Sequence, residues 1–150
     1  MTLKELTNQV LADLEYKEIF KGLADIDGEI KNQVNPFEKN FYFRKQDQIN
    51  HIYGELLSAY GTLKKELESY LAVRKYQIVV EFTETNNMTI NDKKLTSTRV
   101  PGNELLESYV LSEIPELHKA CVGLEKWVER AQNTIRTCRS HTYGEDRGNN

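Results

Sequence analysis

Apolar residues recur every three or four positions along most of this chain, the period of a helix that buries one stripe. The first stripe follows Thr2, placed as an N-cap, with Glu5 three residues later as the acid of a capping box. Leu6, Val10 and Leu14 continue it, then Ile19, Phe20 and Leu23, and Asp27-Gly28 reads as its end or a bend. A second helix is expected from Asn35 as cap, Pro36 in the first helical position and Glu38 as box acid. Its stripe runs Phe37, Phe41, Ile49, Ile52, Leu56, Ala59, Leu63, Leu67 and Tyr70, widened by Tyr53, Tyr60 and Leu71. Gly54 and Gly61, seven apart, predict bare patches for close helix contact. The helix extends to about residue 83, unless Ile78-Val79-Val80-Glu81-Phe82 forms a short strand.

Residues 85–103 read as a polar loop, with Asn86-Asn87 as the alternative turn of a small β-hairpin. The last helix carries the sharpest pattern. Val110, Ile114, Leu117, Cys121, Leu124, Val128, Ala131, Ile135 and Cys138 alternate four and three apart, the a/d seam of four heptads. Trp127 lies beside it, and Pro115 belongs in a first turn or at a kink. A seam this long exceeds what a lone helix has use for, so these positions are expected to form an oligomer interface. The predicted fold is mainly all-α: long helices in a helical-hairpin or coiled-coil-like oligomer, with the polar loop or small hairpin near 85–103. Residues 1–35 form an N-terminal helical extension, 36–141 the assembly and binding domain, and 142–150 a disordered tail.

Hydrophobic residues make up 39% and charged residues 29%, a polar balance better matched to stripes between neighbouring helices than to a thick globular core. No apolar run approaches the roughly 18 residues of a membrane span. The opening Met1-Thr2-Leu3-Lys4-Glu5 lacks the apolar stretch of a signal peptide, so a cytoplasmic protein is expected. Net charge is −3, which argues against a strongly basic nucleic-acid binder. Charge is unevenly distributed, however: residues 36–76 hold seven basic and five acidic side chains, and 118–141 five and two, while the remaining segments are acidic. Aligned copies of such blocks would make a weak anion-binding surface, although salt-bridged helix faces have the same composition.

Reactive constellations are few. Asp25-Ile26-Asp27-Gly28-Glu29-Ile30 imitates a calcium loop, but Leu23 and Val34 fall where its anchoring acids belong, so a capped turn is expected. His118-x-x-Cys121 and Cys138-x-x-His141 have zinc-like spacing, yet on one helix the pairs lie about 25 Å apart. The cysteines are therefore read as seam residues with reduced thiols, and no metal or cofactor is expected. No nucleophile motif or phosphate loop occurs, and no enzymatic activity is expected. The remaining signal is Phe41-Tyr42-Phe43-Arg44-Lys45, where rings adjoin two cations as in single-strand binders. Lys64-Lys65 and Arg74-Lys75 follow on the same helix.

Ile52-Tyr53-Gly54-Glu55-Leu56-Leu57-Ser58-Ala59-Tyr60-Gly61-Thr62-Leu63-Lys64-Lys65-Glu66-Leu67 resembles the central helix of the UvsY family, the recombination mediators of T-even bacteriophages. The aliphatic-tyrosine pair Ile52-Tyr53 and the run Leu63-Lys64-Lys65-Glu66-Leu67 match the family pattern without a gap. Met1-Thr2-Leu3-Lys4-Glu5-Leu6 is similar to the family's opening, and a weaker likeness runs through Arg74-Lys75 to a final helix with an aromatic in mid-seam. The resemblance implies a ring-like helical homo-oligomer that binds single-stranded DNA, helps displace a single-strand-binding protein and loads a RecA-like recombinase. The family's Lys-x-Arg motif aligns with Val79-Val80-Glu81, so both of its cations are missing here. DNA contact would then fall to Arg44, Lys45, Lys64, Lys65, Arg74 and Lys75, with the loop residues Lys93, Lys94 and Arg99. Alternatives are a helical adaptor or phage assembly factor that binds no DNA, or a small inhibitor of a host defence enzyme.

Overall fold

A computed structural model describes residues 1–148, and the chain is mostly helical with one small antiparallel sheet. In chain order the elements are α1 (Leu3–Leu14), α2 (Tyr16–Lys31), α3 (Lys39–Thr85), β1 (Asn87–Ile90), β2 (Lys93–Thr96), α4 (Asn103–Glu113) and α5 (Pro115–Gly148). They fall into two compact units. One holds Met1–Thr7 and Thr62–Cys121; the other holds Asn8–Gly61 and the residues from Val122 onward.

The opening cap forms as expected: Thr2 N donates to Glu5 Oε2 and Glu5 N to Thr2 Oγ1, both at 3.1 Å. The first helix does not run to Asp27-Gly28. It breaks at Glu15, which sits in the left-handed region at φ 51° and ψ 51°, and α2 then passes through Gly28 to Lys31. From Leu14 to Ile19 the apolar spacing slips to five, and the break resets the phase of the stripe so that Leu14, Leu23 and Ile26 are all buried. Gly28 costs about 1 kcal/mol of helix propensity, which the burial around it offsets. The calcium-like segment is therefore helix and not a capped turn.

α3 starts three residues beyond the expected position. Asn35 accepts from Phe37 N at 3.0 Å as a local turn, and helix begins only at Lys39. Phe37 is consequently exposed and Tyr42, not Phe41, is the buried aromatic. Beyond it Ile49, Ile52, Leu56, Ala59, Leu63 and Leu67 are buried on the anticipated stripe. Gly54 and Gly61 face open space, with nothing within 4 Å of an added Cβ, so they are not contact patches; a Cβ added at Gly22 would meet Ile52 Cδ1 at 3.5 Å, an ordinary contact.

Ile78 through Phe82 are helical, and α3 ends at Thr85, where Asn86 at φ 58° turns the chain out. A hairpin follows, but its turn is Asn91-Asp92, at φ 51° and 61°, and not Asn86-Asn87. Two consecutive left-handed residues match the right-handed twist of the strands they join. β1 and β2 pair in the register Asn87↔Thr96, Met88↔Leu95, Thr89↔Lys94 and Ile90↔Lys93. A lone hairpin is marginal in water. This one is held because Met88 and Ile90 join Ile78, Phe82, Leu106 and Val110 in one buried cluster, where each such side chain contributes about 2 kcal/mol.

The final seam is divided between two helices. Ile114 ends α4 at φ −132° and ψ 57°, and Pro115 opens α5, where its missing N–H is harmless. All nine seam positions from Val110 to Cys138 are buried within the single chain. The expectation of an oligomer interface at Val110, Ile114, Leu117, Cys121, Leu124, Val128, Ala131 and Ile135 thus loses its premise, because the chain covers these side chains itself. Within the second unit α5 runs antiparallel to α3: Tyr42 stacks on His141 at 4.1 Å and Gln132 Nε2 donates to Tyr53 OH at 3.1 Å. α5 is helical as far as Gly148; residues 149–150, the end of the expected disordered tail, lie outside the described residues. Extending an existing helix adds a hydrogen bond per residue ordered, and Thr142 is buried with its hydroxyl on Arg139 O.

Candidate nucleic-acid interface

The nine cations expected to meet DNA are distributed into three environments. The first is a cross-link inside one unit. Arg74 Nε and Nη2 grip Glu113 Oε1 and Oε2 at 2.9 and 3.1 Å, a bidentate fork, while Nη1 reaches Gln77 Oε1 and Nη2 also reaches Thr89 O. Tyr70 OH adds a 3.5 Å bond to Glu113, and Asn91 N one of 3.4 Å. Burial, followed by the nearby Glu113 carboxylate, raises the Tyr70 phenol above its usual value. The hydrogen bonds to Glu113 raise Arg74 despite its burial. Lys75 pairs with Glu107 at 3.3 Å and Asn103 at 3.2 Å. Arg74 fastens α3 to α4 and the hairpin and Lys75 fastens it to α4, so neither points a bare charge at solvent. The pattern was legible only in part: arginine and lysine were evident, but their partners lie 32 and 39 residues away.

Lys45 is likewise engaged. It forms an ion pair with Glu29, bonds Gln48 Oε1 at 3.3 Å and lies 5.5 Å from the centre of the Phe41 ring. The aromatic run is split by the helical period: Tyr42 faces the core, Phe41 is half-buried, and Phe43 is exposed beside exposed Arg44. A stacking platform on this run is reduced to Phe43 with Arg44.

The third environment is solvent. Lys65, Lys93, Lys94 and Arg99 are exposed and Lys64 half-buried, and among the described residues none of the five forms an ion pair. Lys64-Lys65 lie about 20 Å along α3 from Ile78, the level at which the hairpin bearing Lys93 and Lys94 packs. These are two separate basic positions and not one patch.

Trp127, expected beside the seam, is half-buried and stacks face to face on Phe20 at 4.1 Å, with Arg130 4.8 Å from its ring. Arg130 also donates to Asp27 Oδ2 at 2.8 Å, and buried Thr134 to Asp27 Oδ1 at 2.6 Å. Asp27, the centre of the apparent calcium loop, is thus a helix-to-helix anchor. Cys121 and Cys138 are buried, and burial with the Asp27 charge raises the Cys138 thiol. Among the described residues no group of three or more His, Cys, Asp or Glu side chains is placed to hold a metal ion, and no helix is long and apolar enough to cross a membrane.

No protein-family model, curated protein or solved structure matches the chain.

Proposed function

We propose that this protein acts without catalysis as a phage-type recombination mediator, binding single-stranded DNA and helping to load a RecA-like recombinase onto strands covered by single-strand-binding protein. The observation that carries the reading is Lys64-Lys65. It lies in the segment that resembles the UvsY central helix, and among the described residues it has no ion-pair partner, while Arg74, Lys75 and Lys45 are all engaged. Exposed Phe43 and Arg44, which belong to the other unit, offer a ring and a cation of their own. Two or three phosphate contacts per chain give weak binding, and self-assembly into a homo-oligomer would supply the avidity. Fluorescence anisotropy against a labelled oligothymidylate tests this. Binding should weaken with salt by a log–log slope of roughly −0.7 per phosphate neutralised, and Lys64→Glu with Lys65→Glu should remove it. Salt-insensitive or absent binding at low ionic strength refutes the reading.

A second reading, a helical adaptor that binds proteins and no DNA, is favoured by the internal neutralisation of Arg74 and Lys75. The same titration separates the two.

A further inference from the structure

The two strands of the hairpin have very different outer edges. In β1 the backbone groups that point away from β2 belong to Asn87 and Thr89, and side chains of α3 reach all four, three of them at 3.2 Å or less. Thr89 N donates to Glu81 Oε2 at 3.1 Å, and Thr89 O accepts from Arg74 Nη2 at 3.1 Å. Asn87 N donates to Thr85 Oγ1 at 3.2 Å, and Asn87 O accepts from the same hydroxyl at 3.4 Å. By the register, the corresponding outward groups of β2 are those of Lys94 and Thr96. No described residue bonds them, and all four residues of β2 are exposed. One edge is closed by built-in donors and acceptors; the other presents an unpaired ladder.

A groove of about 320 Å³ meets β2 at Leu95 and Thr96 and is lined further by Met88, Arg99, Leu105 and Tyr109. Leu95 and Leu105 are partly exposed there. Lys93 and Lys94 are the charges on the strand itself; Asp92 lies beyond it in the turn and Glu104 opens α4.

We propose that β2 accepts an extended peptide of alternating acidic and apolar residues as a third strand, its apolar side chains entering the groove beside Leu95. The alternation follows from strand geometry, which sends successive side chains to opposite faces. Acidic residues then fall on the opposite face of the strand, beside Lys94; Lys93 shares the face of Leu95. Charge excludes the main competitor: edge-to-edge pairing with a second copy would bring four lysines into one strand pair. A nucleic acid would use the cations but gain nothing from the carbonyl of Lys94 or the apolar floor. This peptide site goes beyond the DNA-binding reading and does not use Lys64 or Lys65.

The test is anisotropy of the full chain with a fluorescein-labelled ten-residue peptide of alternating aspartate and leucine. Two further peptides are N-methylated on every second residue, one in each phase. A methyl on the amide that faces β2 removes a ladder hydrogen bond, so one phase should bind at least about tenfold more weakly and the other like the parent. Lys94→Glu should cost a similar factor, and Lys64→Glu with Lys65→Glu should leave peptide affinity unchanged. Equal binding of both N-methylated phases and the parent overturns the proposal without reliance on any variant. It is also overturned if oligothymidylate displaces the peptide from the Lys64→Glu, Lys65→Glu variant, which would make the edge a nucleic-acid surface. Light scattering that shows a dimer dissociated by Lys94→Pro would assign the edge to a second copy and overturn it equally.

Discussion

Replacing Arg74 by glutamine should destabilise the protein while leaving nucleic-acid binding intact. The Arg74 and Glu113 side chains are 21% and 13% exposed, so this pair is screened far less than a surface ion pair. Arg74→Gln removes two charge-assisted bonds to Glu113 and the donor to Thr89 O. Among the described residues it leaves Glu113 with Tyr70 OH and Asn91 N. Stranding one member of a fully buried pair costs about 3–5 kcal/mol; the remaining exposure brings the expected loss to about 3 kcal/mol. For a chain of this size that corresponds to a fall in Tm of about 10 °C. Urea denaturation followed by circular dichroism gives the single-variant loss, and a cycle with Glu113→Gln isolates the pair, with a coupling of about 2 kcal/mol expected. A loss below about 0.5 kcal/mol or a coupling near zero, within the range of an exposed pair, would refute the role of Arg74 as a cross-link. A variant that folds as well as wild type yet loses single-stranded DNA binding would return Arg74 to the interface.

Glu15→Gly should stabilise by about 1 kcal/mol, since a left-handed L residue costs about 1–2 kcal/mol and glycine does not; an unchanged or lower denaturation midpoint would count against strain at the break. Leu124→Asp should unfold the chain rather than merely dissociate an assembly, because Leu124 is buried within one copy and an unpaired buried carboxylate costs several kcal/mol; a folded, soluble monomer by sedimentation would overturn that. Stability should fall on the alkaline side. The Cys138 thiol and the Tyr42 and Tyr70 phenols are raised above 9.0 and 10.0, so the stability they contribute is fully present below those ordinary values and lost as pH rises through the folded ones. Tyr42→Phe should flatten the decline in denaturant midpoint above pH 10, and an equal decline in both proteins would dismiss Tyr42 as a contributor.

The apolar period alone established the helical class, the α3 stripe from Ile49 to Leu67 and the seam from Val110 to Cys138, because a 3.6-residue repeat leaves no other element that buries all of those positions on one side. The capping box at Thr2 and Glu5 was legible for the same reason: both partners lie within one turn. Decisions requiring a distant partner were not legible. Gly28 stays helical because burial around Leu23 and Ile26 outweighs a local propensity of about 1 kcal/mol, and the break falls instead at Glu15, where the stripe changes phase. Asn86-Asn87 and Asn91-Asp92 are equally good turns locally; Met88 and Ile90 choose between them, since only the second register points both into the cluster with Ile78 and Phe82. Periodicity also cannot tell whether a seam is covered by its own chain or by another copy, because both present the same apolar surface to a helix. Most consequential for function, a lysine or arginine reads as an available charge until its counter-ion is located. Glu113, Glu107 and Glu29 lie far from Arg74, Lys75 and Lys45 in sequence but within ion-pair distance in space, and only tertiary packing withdrew those three cations from solvent while leaving Lys64, Lys65, Lys93 and Lys94 without ion pairs among the described residues.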